Sequence, residues 1–80
     1  MLSYEEQKAA VQVAVDSFPI EFGLRGFPGE KFRVSPSASY YSTSYGVMIY
    51  TQRYDHERGW LDFAKGSPGE LRAQIVKLPA

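Results

Sequence analysis

Eighty residues without cysteine, 44% hydrophobic, 22% charged and 15% aromatic, fit one small domain over residues 1–80, stabilised by its apolar side chains alone. Nine Lys and Arg balance nine Asp and Glu, which removes the global field that would make a basic nucleic-acid binder or an acidic DNA mimic the default. The missing cysteine removes disulfides, thiol nucleophiles and thiolate metal sites together.

Ser3-Tyr4-Glu5-Glu6 has the spacing of a capping box, and Glu, Gln, Lys and Ala follow it, so a helix is expected to start here. Val11, Ala14, Val15 and Phe18 fall on one helical stripe, and Pro19 supplies the stop. Val11, Val13 and Val15 also alternate, which keeps a strand open for the second half. The acidic pair Glu5-Glu6 follows the first four residues directly, unlike the basic start and apolar run of a secretory signal, and a cytoplasmic location is expected.

Residues 20–31 carry Gly23, Gly26, Gly29 and Pro28 and keep no period, so they read as a loop, packed down through Phe22, Leu24 and Phe27. Beyond it the period becomes two. Phe32 and Val34 alternate with Lys31 and Arg33, Pro36 interrupts, and residues 38–43 resume, which predicts an edge strand with a break. Residues 45–54 form the clearest strand, with Tyr45, Val47, Ile49, Thr51 and Arg53 on one face and Met48, Tyr50, Gln52 and Tyr54 on the other. Asp55 to Gly59 suits a hairpin loop, and residues 60–65 return as a third strand. Residues 34–52 are uncharged but broken by Pro36 and rich in Ser, Thr and Tyr, so no membrane span is expected.

Ser67-Pro68-Gly69-Glu70 has a second capping-box spacing, with Leu71, Ile75 and Leu78 on one helical face beyond it. Leu71, Ala73 and Ile75 also alternate, and a fourth strand stays open. The expected class is α+β: an N-terminal helix on a three- or four-stranded antiparallel sheet, with a short C-terminal helix.

Chemistry is excluded more readily than it is found. His56 stands between Asp55 and Glu57, but adjacent side chains point apart and no second His or Cys completes a metal site. No Gly-x-Ser-x-Gly elbow is present. Gly23, Gly26 and Gly29 match neither a dinucleotide fingerprint nor a P-loop, and read as permits for positive φ. No catalytic residue, metal or cofactor is therefore expected.

Tyr40, Tyr41, Tyr45, Tyr50 and Tyr54 crowd into fifteen positions beside Arg53 and several hydroxyls, a mixture that suits a contact surface as well as a strand core. Residues 1–21 carry a net charge of −3 and residues 22–54 a net charge of +3, so the zero total hides a polarity. The candidate partner-binding residues are Tyr40, Tyr41, Tyr45, Arg53 and Arg58, with Arg25 second: Arg pairs carboxylates in two places at once, and Tyr supplies buried area.

In size and build, though in no specific motif, the chain resembles the small phage and mobile-element inhibitors known as anti-CRISPR proteins. The resemblance implies a stoichiometric, non-catalytic protein binder in the cytoplasm of a bacterial host; a monomer, or a weak homodimer through an exposed edge strand, is expected beside it. Such an inhibitor binds a CRISPR effector such as a type I surveillance complex and blocks target-DNA recognition or nuclease recruitment. The alternative is a single-stranded nucleic-acid or regulatory module, in which an aromatic sheet face with Arg25, Lys31, Arg33 and Arg53 stacks on bases and neutralises phosphates.

Overall fold

The computed structural model describes residues 1–78. Helix α1 covers Tyr4–Asp16 and starts where its cap dictates: Glu6 N donates to Ser3 Oγ at 3.2 Å, and Ser3 N donates to Glu6 Oε1 at 2.9 Å. It ends at Ser17, whose hydroxyl donates to the Ala14 carbonyl at 2.7 Å, just ahead of Pro19. Val11, Ala14 and Val15 turn inward while Val13 is 70% exposed, so the helical stripe wins over the alternation.

Three strands, β2 (Phe32–Ser42), β3 (Gly46–Asp55) and β4 (Gly59–Gly66), form an antiparallel meander with β3 in the middle. The break expected at Pro36 is a bulge: the β2–β3 register shifts between Ser35 and Tyr40. A proline cannot donate to the ladder, and Ser39 repairs the gap with its side chain. Its Oγ accepts from Tyr50 N at 3.0 Å and donates to the Ser35 carbonyl at 2.8 Å. A second irregularity, between β3 and β4, is closed by Thr51. Its hydroxyl donates to the Ala64 carbonyl at 2.7 Å and accepts from Ala64 N at 3.3 Å. At the β3–β4 turn, Asp55 Oδ1 accepts from the backbone N–H of Glu57 and of Arg58, each at 2.9 Å, and Gly59 takes the left-handed conformation at φ +80° that closes the hairpin.

Two expectations need correction. The 20–31 segment is not all loop, because Gly23–Leu24 forms a short strand, β1. Helix α2 starts on its Ser67 cap but covers only Pro68–Gln74; Ile75 leaves the helix for extended backbone, and Ile75–Val76 forms β5. β1 and β5 pair antiparallel, Gly23 opposite Val76 and Leu24 opposite Ile75, as a separate two-stranded sheet. The fourth strand therefore exists outside the main sheet, and Ile75 does not share a helical face with Leu71. The positive φ expected of the loop glycines holds at Gly26 and Gly29, whereas Gly23 is buried in β1.

The core lies on one side of the meander. Phe32, Val34 and Ile49 project from the sheet to meet Phe18 from the end of α1, Phe22 and Leu24 from the β1 segment and Leu71 from α2. Phe27 and Phe63 extend the cluster, their rings 5.7 and 5.1 Å from that of Phe32. Both helices and the small sheet are thus on the same side. No helix among the described residues is long and apolar enough to cross a membrane.

Candidate functional site

Strand pairing sorts the sheet residues by face. Phe32, Val34, Ile49 and Thr51 face the core; the alternate positions, in cross-strand pairs Tyr40–Met48, Arg33–Gln52, Gln52–Asp62, Tyr50–Lys65 and Tyr54–Trp60, face away from it. No described helix or strand packs over this second face. Its side chains are covered mainly by one another.

At one end of the face Trp60 and Tyr54 meet edge to face, centroids 5.3 Å apart, and His56 of the loop adds its ring to Tyr54 at 5.6 Å. The Arg33 guanidinium lies 4.3 Å from the Trp60 ring centre, and Lys31 Nζ is 4.7 Å from the centre of Tyr54 and 5.9 Å from that of Trp60. A ladder of side chains fixes the arginine: Arg33 Nε donates to Gln52 Oε1 at 2.9 Å, and Gln52 Nε2 donates to Asp62 Oδ1 at 3.1 Å. At the other end Lys65 Nζ donates to the Tyr40 hydroxyl at 3.2 Å, a bond that holds the Lys65 ammonium above its ordinary pKa. In the hairpin loop the backbone N–H groups of Arg58 and Glu57 hold Asp55 below the usual carboxylate range.

The residues expected to bind a partner do not gather in one patch. Tyr40, opposite Met48, is on the open face, 39% exposed, and at its edge also borders the groove beside α1. Tyr41, opposite Val47, has the core-side parity and lines a groove of about 370 Å³ against α1, and Tyr45 stands 80% exposed in the β2–β3 turn. Arg53 has the core-side parity, pairs with Glu30 at 3.5 Å, and lines a depression of about 620 Å³ beside the β3–β4 turn. Arg58 is exposed in that turn, and Arg25 is exposed after β1, its backbone N–H donating to the Gln74 carbonyl at 2.8 Å. Val47, the partner of Tyr41, and Arg53 are six steps apart along β3, roughly 20 Å at about 3.4 Å per residue. These tyrosines therefore lie at one end of the sheet and Arg53 and Arg58 at the other, with Arg25 beside the separate two-stranded sheet.

The residues that do converge, Lys31, Arg33, Tyr54, Trp60 and Lys65, were only partly singled out by the sequence. Parity along β3 marked Tyr54 as sharing a face with Met48, Tyr50 and Gln52. What sequence alone does not carry is the pairing that brings Trp60 of β4 and Arg33 of β2 to that face. Among the described residues no group of three or more His, Cys, Asp or Glu side chains is placed to hold a metal ion. Compared with protein-family models, curated proteins and solved structures, the chain matches none.

Proposed function

We propose that this protein is a non-catalytic binding protein whose open sheet face docks on another protein, and that it acts as an inhibitor of the anti-CRISPR kind on a type I surveillance complex. The observation that carries the docking reading is the uncovered face itself. It displays Trp60, Tyr54, Tyr50, Met48 and Arg33, residue types enriched at protein interfaces, beside the two cations Lys31 and Lys65. The inhibitor assignment rests on the small α+β build and on the absence of a catalytic constellation in the sequence.

Ring geometry favours a protein over single-stranded nucleic acid. A stacking platform offers free ring faces to bases, whereas here cations already lie over Trp60 and Tyr54, and the two rings meet edge to face. Asp62, on the edge strand β4 opposite Gln52, adds a negative charge to the face that disfavours phosphates beside it. The test is to add the protein to purified type I surveillance complexes and follow target-DNA binding and nuclease recruitment. Stoichiometric loss of either step is expected, through a contact that survives nuclease treatment. No effect on either step, or binding to oligonucleotides alone, overturns the assignment.

A further inference from the structure

The partner's chemistry can be read one step further, on the premise that the open face is the docking surface. Lys31, just ahead of β2, and Arg33, within it, both lie over the same indole, at 5.9 and 4.3 Å from its centre. Arg33 commits its Nε to Gln52, and neither described salt bridge supplies it with a carboxylate. Its remaining N–H groups are left beside a ring that shields one side of the guanidinium from water. Lys31 is held by Glu21 at 3.7 Å, a contact between side chains about 40% exposed, and a pair of that kind is weak and readily exchanged. Among the described residues, Lys31, Arg33 and Lys65 meet two carboxylates at this face, Glu21 on Lys31 and Asp62, which is itself engaged by Gln52.

We infer that Lys31, Arg33 and Trp60 form a seat for a carboxylate, and that the partner presents it on an extended acidic segment of polypeptide. The planar guanidinium, oriented in advance by Gln52 and Asp62, would pair with both oxygens of an Asp or Glu side chain, with Lys31 as the second cation. Charge complementarity selects the occupant, since a neutral or basic segment leaves the two cations desolvated and unpaired.

Trp60 is the single tryptophan of the chain, so its fluorescence reports directly on the seat. The probe is a synthetic peptide alternating glutamate with threonine, titrated against the 80-residue chain, with the glutamine-for-glutamate peptide as its control. The acidic peptide is expected to perturb Trp60 in a salt-sensitive manner and the control peptide to leave it unchanged. Arg33→Gln is expected to weaken the acidic peptide at least about tenfold, the loss of a charge-assisted pair, and Arg33→Lys to recover only part of it. Lys31→Gln, which touches no hydrogen bond of the Gln52 ladder, provides a second variant if Arg33→Gln melts early.

Equal binding of both peptides, or no response to the acidic one, overturns the inference. So does tighter, Arg33-dependent binding of oligothymidylate, or a concentration-dependent dimer abolished by Trp60→Ala, which makes a second copy the occupant. The inference and the docking reading fail separately. An effector complex that needs Trp60 but tolerates Arg33→Gln and Lys31→Gln refutes the carboxylate seat alone, whereas an Arg33-dependent acidic peptide without any effector binding refutes the inhibitor assignment alone.

Discussion

Arg33 on β2 places its guanidinium 4.3 Å from the ring centre of Trp60 on β4, across the whole width of β3. Neighbouring strands are about 4.8 Å apart, so the contact spans roughly 10 Å of sheet and needs the full length of the arginine. Gln52, on the strand between, holds the Arg33 Nε from below and is held in turn by Asp62. The open face is therefore organised before any partner arrives, and organisation of this kind lowers the entropy cost of binding.

Removing the spacer tests that organisation. Gln52→Ala should cost about 1–1.5 kcal/mol in urea unfolding, because one of the bonds it breaks is part-buried and the other exposed, and it should weaken partner binding as Arg33 loses its support. A variant with unchanged affinity would show that Arg33 needs no orienting group.

The two sides of the sheet should respond differently to truncation. Ile49 is fully buried among Phe32, Val34 and the residues of α1 and α2, so Ile49→Ala should cost about 2–5 kcal/mol. Tyr45→Ala, in the exposed β2–β3 turn, should stay within about 0.5 kcal/mol by the same denaturant titration.

Thr51 offers a sharper test of how the bulge is sealed. Thr51→Val keeps shape and burial but leaves the Ala64 N–H and carbonyl without their side-chain partner, at a cost of about 1–3 kcal/mol. Thr51→Ser keeps the hydroxyl and should protect Ala64 N–H from hydrogen exchange as the native residue does.

Acid should loosen the hairpin and the first helix together. Asp55 is held below its usual pKa by the Arg58 and Glu57 N–H groups, and Glu6 by the backbone N–H and then the side chain of Ser3. A depressed carboxylate contributes stability that is complete above the unfolded-state value, about 4 for these groups, and is lost as pH falls through the lower folded value. The midpoint of urea unfolding is thus expected to fall below about pH 4, less steeply in Glu6→Gln and Asp55→Asn variants. A midpoint that falls equally in all three proteins would place the acid response elsewhere.

Much of the fold is written locally. Ser3 with Glu6 and Ser67 with Glu70 mark helix starts because a cap is a three-residue hydrogen-bond device, and Asp55 to Gly59 marks a hairpin for the same reason. The β1–β5 pair is not legible. Two-residue strands carry no period, and Leu24 finds Ile75 only after α2 has brought the chain back. The candidate site divides along the same line. The density of tyrosine between residues 40 and 54 draws the eye to Tyr41 and Tyr45, whereas side-chain parity places Tyr41 beside α1 and leaves Tyr45 in a turn. Trp60 and Arg33 become neighbours through strand pairing, which is long-range information.

The most direct test of the docking face is the affinity of a purified type I surveillance complex for the wild type and for Trp60→Ala, Tyr54→Ala and Tyr45→Ala, with melting temperatures recorded alongside. Trp60→Ala and Tyr54→Ala should each weaken binding by about thirtyfold, the scale of an interface hot spot, while Tyr45→Ala binds like the wild type and all variants remain folded. Wild-type affinity in folded Trp60→Ala with loss in Tyr45→Ala, or no binding by the wild type at all, would contradict the assignment.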